Sequence, residues 1–238
     1  MLARADHQLE TLRTYGILID NGDDWSGKIV FCCGPGCALT GIPPAASIAG
    51  AVTLAVDADA AAVKLALRRG ELDFVVNTLD EALRTIKNEV RQRRPLSVGL
   101  IADVESTLVE MVERGVQPNV QLISSAPNYA GLRTLQERGM RYFYALVADE
   151  PDRPYRPMLI LDRKRHYEYF FAAGSSAALR SLDANLLNAL PQNDTVRRRW
   201  LERISHYLRT DRDWGRWIWL SETEVQEIAS QGLSPESR

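Results

Sequence analysis

The sequence predicts an α/β fold: a doubly wound parallel sheet followed by a smaller α+β remnant. Six short apolar runs between Lys28 and Ala148 alternate with amphipathic helical segments at roughly 20–25 residue intervals, the rhythm of a parallel sheet covered on both faces. The first run breaks at a glycine turn, Gly34-Pro35-Gly36. Past Asp149 the rhythm changes to a proline-rich connector and paired strands. Crossovers between parallel strands are right-handed, which winds the helices onto both faces.

Each element has its own signal. Lys28-Ile-Val-Phe-Cys-Cys is the first strand. Pro43-Pro44 opens a small-residue helix, Ala45 to Ala51, because proline's missing N–H has no helical partner in a first turn. Val52 to Val56 is the second strand, closed by Asp57, and Ala60 to Arg69 is helical. Leu72 to Val76 is the third strand. Thr78 and Glu81 have capping-box spacing and start a helix to about Arg93, with Leu79, Leu83, Ile86 and Val90 on one side. Pro95 ends it. Ser97 to Ile101 is the fourth strand; Val104 to Arg114 is a helix with Leu108, Val109 and Val112 inward and Gly115 at its end. Val120 to Ile123, a short helix Tyr129 to Arg138, and Tyr142 to Val147 complete the sheet. Beyond the connector come strands Met158 to Leu161 and Tyr167 to Phe171, helices Ser175 to Ala189 and Asp194 to Tyr207, an aromatic strand Trp214 to Leu220, and a last helix, Ser221 to Ser230, with Glu224 completing a capping box. The expected units are 1–27, a helical segment packing with the C-terminal part; 28–148, the nucleotide-binding type of domain; and 149–238, an α+β segment.

The 238 residues are 45% hydrophobic and 25% charged, the balance of a soluble globular protein. A net charge of −2 favours neither nucleic acid nor a membrane surface, and no apolar run is long enough to span a bilayer. Without a signal-peptide core in Met1 to Thr14, the expected location is the cytoplasm. Three cysteines, Cys32, Cys33 and Cys37, crowd together. Paired zinc-ligand spacing is missing, so no metal is assigned. Cys37 near a helix start is a candidate reactive thiol; the plainer reading is that all three pack at a strand end and its loop.

The turn Gly34-Pro35-Gly36-Cys37-Ala38-Leu39-Thr40-Gly41 lets backbone N–H groups approach a pyrophosphate, and Asp57, about 23 residues on, has the position of a ribose-binding acid. The third glycine is displaced from the usual spacing. Arg197, Arg198, Arg199, Arg203, Arg209, Arg212 and Arg216 are interleaved with Asp194, Glu202, Asp211 and Asp213, which reads as a solvated mixed-charge face rather than an anion patch. Trp217 and Trp219 alternate onto one strand face, so with Trp214 they read as core first and interface second.

Several stretches resemble the urocanase (urocanate hydratase) family: Ile42-Pro43-Pro44-Ala45-Ala46-Ser47-Ile48-Ala49-Gly50, Thr78-Leu79-Asp80-Glu81-Ala82-Leu83, Pro95 to Leu100, Leu108 to Asn119, and in the tail Leu182-Asp183, Trp200-Leu201 and Gly215-Arg216-Trp217-Ile218-Trp219. The resemblance implies a Rossmann-like NAD domain, NAD serving that family as an electrophile rather than a hydride carrier. It also implies a chain corresponding to the family's middle, without its N-terminal section or C-terminal end and shortened between Ala126 and Arg138. The family's loop glycines fall on Gly34 and Gly36 and its strand-end acid on Asp57. Its next arginine falls on Ala62, its Gly-Asn on Ala102-Asp103 and its Gln-Thr-Ser-Ala-His on Ser124 to Asn128. Its substrate arginine falls on Glu168 and its catalytic cysteine on Ile218.

The expected ligand-binding residues are Gly34, Gly36, Gly41, Asp57, Asp103, Ser124 and Ser125, along the carboxyl ends of the strands. No catalytic residue is assigned. The expected cofactor is NAD, bound weakly or not at all, and the expected partners are a small-molecule or nucleotide ligand and a second copy of the chain. The functional expectation is a binding or regulatory protein without urocanate hydratase activity. The alternatives are an enzyme of altered lyase or hydratase chemistry, with Cys37, Asp57, Asp103 or Glu168 as polar groups, and an interaction subunit with a decayed site.

Overall fold

The computed structural model describes residues 4–22, 24–123, 129–144, 159–161, 164–207, 215–230 and 232–236. Six strands form its central sheet: β1 (Ile29–Cys33), β2 (Val52–Asp57), β3 (Phe74–Val76), β4 (Leu96–Ile101), β5 (Val120–Ile123) and β6 (Arg141–Tyr144). They lie in the order β3-β4-β2-β1-β5-β6, every neighbouring pair parallel. The connecting helices are α2 (Ile42–Ala49), α3 (Ala60–Arg69), α4 (Leu79–Gln92), α5 (Val104–Glu113) and α6 (Ala130–Glu137), and α1 (Arg4–Asp20) precedes the sheet. The chain leaves β1 towards β2 on one side and returns past it to β5 on the other. The order therefore reverses between β1 and β5, the doubly wound switch point the sequence predicts.

Strand alternation divides the core in two. Phe31, Val52, Leu54, Val56, Val98 and Leu100 point to the face covered by α4, α5 and α6. Val30, Cys32, Ala55, Val120 and Leu122 point to the face covered by α1, α2 and α3. All six residues of β2 are buried, because both faces are covered. Gly99 of β4 is required by packing: a Cβ there would lie 2.6 Å from Leu72 Cδ1 and 2.8 Å from Val63 Cγ1.

Local differences from expectation have local causes. The second helix begins at Ile42, with both prolines inside its first turn. β3 has only three ladder residues; Asp73, expected inside it, is instead fastened through its carboxylate to the N–H of Ser97 at 2.8 Å. On α5 the inward residues are Val104, Thr107, Leu108 and Met111, an i, i+3, i+4, i+7 stripe, so Val109 falls outside it and is 48% exposed.

The C-terminal part is a three-stranded antiparallel sheet, β7 (Leu159–Leu161), β8 (Lys164–Ala172) and β9 (Gly215–Leu220), with α7 (Ser176–Ala189), α8 (Thr195–Ile204) and α9 (Glu222–Ser230). It packs on the α1–α2 side, and Leu12, Tyr15, Ile48, Trp200, Leu201 and Ile218 share one hydrophobic cluster with the sheet. Tyr15 stacks against Trp200 and Trp219, with centroids 5.9 and 6.2 Å apart. Trp217 and Trp219 are both buried, in keeping with the core reading; Trp214 lies outside the described residues.

The arginines of α8 are not a solvated face. Arg197 is buried, paired with Asp194 at 2.5 Å and gripping Glu224 through two 2.8 Å bonds. Arg198 donates to the Leu187 carbonyl in the last turn of α7, and Arg199 and Arg203 donate to the Ala49 and Ser47 carbonyls at the end of α2. Helix C-termini present unpaired carbonyls and negative dipole ends, and these guanidinium groups satisfy both. Arg216 is likewise committed, to Asp183.

Candidate functional site

The site is assembled where β1, β2 and β4 end. After Cys33 the chain turns through Gly34 at φ 105° and Gly36 at φ 73°, values that favour glycine, and a single 3-10 turn (Cys37–Leu39) leads to α2. A Cβ on either glycine would meet nothing within 4 Å, so the outer side of the turn is open. Three bonds tie the turn to β2: Gly34 N–H to the Val56 carbonyl at 3.0 Å, the Cys37 thiol to the same oxygen at 3.5 Å, and Gly36 N–H to Asp57 Oδ2 at 2.6 Å. The other Asp57 oxygen accepts the Asp59 N–H at 2.9 Å, and the residue is buried.

The remaining expected residues separate. Asp103 is exposed beside the end of β4 and caps α5, accepting the Ser106 N–H at 2.8 Å, a bond that holds its carboxyl below the ordinary range. It lies on the same rim as Asp57, since Asp57 pairs with Ile101 in the β2–β4 ladder. Gly41 is the residue before α2. It sits against α1, where a Cβ would lie 2.6 Å from Thr11 Oγ1 and 3.0 Å from the Thr11 amide. Ser124 and Ser125 lie outside the described residues.

Tyr129, at the head of α6, is a rim residue that the sequence reading missed. Burial pushes its phenol up, and the charges of Cys33, Asp103, Glu105 and Asp57 push the same way. Only its position just after β5 hinted at this. Cys37 is not an activated thiol: contact with the Cys32 thiol and burial both raise its pKa well above the ordinary value. Burial likewise pushes Cys33 up to about 12. Among the described residues no group of three or more His, Cys, Asp or Glu side chains could hold a metal, and no helix is long and apolar enough to cross a membrane.

Glu168 and Ile218 lie on the antiparallel sheet, not on the strand ends that form this rim. Glu168 on β8 receives three hydrogen bonds of 3.0–3.2 Å from Arg13 of α1; burial raises its carboxyl pKa and Arg13 holds it back. Ile218 on β9 has 0% exposure. At the opposite end of the sheet a groove of about 310 Å³ runs between α4 and the approach to β5, floored by Ile29, Leu83, Ile86 and Val116. It lies at the amino ends of the strands, away from the switch point where open sheets bind ligands.

The reversed strand order, the glycine turn and the strand-end acid define a Rossmann-like α/β protein. Residues 9–126 match the family model of the urocanase Rossmann-like domain, and over that stretch the chain is similar to the urocanases. In that family the domain binds NAD. Tested against NAD, the turn offers open space beside Gly34 and Gly36, but its contacts do not suit a tightly held dinucleotide. The Gly36 N–H points at Asp57 rather than outward, the Asp57 carboxylate is closed to a ribose, and Asp57, Asp59 and Asp103 bond backbone N–H groups rather than cations.

Proposed function

We propose that this urocanase relative keeps the position of a nucleotide-type site, lacks urocanate hydratase chemistry, and acts as a ligand-binding or regulatory protein. One observation carries the reading. Where the resemblance puts the family's catalytic cysteine and substrate arginine stand Ile218, sealed in the core, and Glu168, locked to Arg13. Isoleucine supplies no thiol and no proton. Glutamate repels the carboxylate of urocanate where arginine would clamp it. The ligand is a small molecule or nucleotide held over the ends of β1, β2 and β4, by a homodimer. NAD is bound weakly or not at all, since each missing charge-assisted hydrogen bond costs roughly 1.5–3 kcal/mol, about ten- to a hundredfold in affinity.

The test is threefold. Urocanate absorbance with added NAD is expected to stay constant, mass spectrometry of ligand released from freshly purified, denatured protein to show no stoichiometric NAD, and calorimetric titration to show no sub-micromolar NAD binding. Enzymatic loss of urocanate absorbance would sink the loss of function. Stoichiometric or tightly bound NAD would sink the weak site.

A further inference from the structure

We infer that Cys32 and Cys37 form a reversible disulfide across the glycine turn. Alternation along β1 sends Cys32 to the α2 face, where it shares a buried cluster with Cys37, and sends Cys33 to the opposite face. Cys32 Sγ donates to the Cys37 carbonyl at 3.9 Å, which holds the two side chains against one another in that cluster. Between them runs Gly34-Pro35-Gly36, where open space beside both glycines lets the backbone adjust while the sulfurs close. Cys37 spends its S–H on the Val56 carbonyl, an oxygen that also accepts the Gly34 N–H, so bonding to Cys32 leaves no buried carbonyl orphaned. The inference is independent of any ligand at the turn.

Two S–H bonds break and one S–S bond forms. The two protons and two electrons pass to the oxidant, hydrogen peroxide becoming two waters or a small-molecule disulfide becoming two thiols. The attacking species is a thiolate, and Cys32 and Cys37 are each 1% exposed, so closure is slow and quickens as pH rises. The product is a short covalent ring in place of a thiol–carbonyl bond, which stiffens the turn. Reduction restores the open form.

The test treats the folded full chain with hydrogen peroxide. The chain is then denatured in acid, its free thiols are blocked with one reagent, and the thiols released by reduction are labelled with a second. Lys28 and Lys64 bound one tryptic peptide that carries all three cysteines, and fragmentation assigns each label. The second label is expected on Cys32 and Cys37 and the first on Cys33, without cross-linked chains and with slower hydrogen exchange at the turn amides. Cys33→Ser is expected to leave this pattern unchanged and Cys37→Ser to abolish it. The wild-type assignment stands even if a variant fails to fold. A bond involving Cys33, a bond between chains, or three first-label thiols under conditions that oxidise the unfolded chain would overturn the inference.

Discussion

His7 on α1 faces a carboxylate closed to solvent. The Glu71 side chain has 0% exposure; His7 Nε2 lies 3.3 Å from its Oε1, Arg69 stands 3.8 Å away, and Glu10 is 3.6 Å from the other imidazole nitrogen. Burial alone would lower the histidine pKa, but Glu10 and Glu71 overcome it and raise the group from 6.5 to about 9. The folded state therefore favours the protonated ring. This contribution is complete below 6.5 and is lost as pH rises through about 9. The preference for the protonated ring is worth about 3 kcal/mol. Urea midpoints are expected to fall between pH 6.5 and 9, and His7→Gln to flatten that slope while lowering stability at pH 6. An unchanged slope in the variant would refute the pairing. Nothing in the sequence joins His7 to Glu71, because the pair exists only once α1 lies across the sheet.

At the scale of elements, two glycines of one turn separate. Gly36 and Gly41 both have positive φ, but Gly36 has open space beside it whereas Gly41 abuts the Thr11 backbone. Gly36→Ala is expected to cost only the backbone preference, about 1–2 kcal/mol. Gly41→Ala adds a clash with α1 and is expected to cost about 3 kcal/mol or more. Denaturant unfolding of the two variants checks the order, and equal losses would show that α1 yields. Spacing alone does not show that Gly41 is held against α1, because that contact exists only in the fold. Signals confined to a few residues were legible. Ser221 and Glu224 form the expected reciprocal cap, with Ser221 N–H on Glu224 Oε2 at 2.8 Å and Glu224 N–H on Ser221 Oγ at 3.4 Å. Thr78 accepts the Glu81 N–H as expected, although Glu81 reaches back to Asn77 rather than Thr78. Val109 was misplaced because the apolar residues of α5 are broader than the stripe it buries.

For the molecule as a whole, the α/β rhythm made the parallel sheet legible, and composition could not order its strands. β3 lies outside β4 at the sheet edge, although it precedes β4 in the chain. The arginines of α8 were also misread, since their partners on α2 and α9 are remote in sequence. One hydrophobic cluster joins α1, α2, α8 and β9, so the last third of the chain closes the core of the sheet. A fragment ending at Ala148 would expose Tyr15, Ile48 and their neighbours. It is expected to lose cooperative unfolding and near-ultraviolet circular dichroism, whereas the full chain unfolds in a single transition. A cooperative fragment would show that the sheet stands alone.

The aromatic layer also decides how this protein can be watched. Four of its five tryptophans follow Arg199, and the fifth, Trp25, lies near the amino end of β1. None belongs to the glycine turn. Intrinsic emission therefore reports whether the C-terminal sheet is seated on α1, through Trp200 and Trp219 beside Tyr15, and is nearly blind to what occupies the turn. The exception is a disturbance carried along α2, a rod about 12 Å long that begins at the turn and ends in the grip of Arg199 and Arg203, one on either side of Trp200 in the sequence of α8. A ligand that changes the fluorescence of this chain has moved that rod.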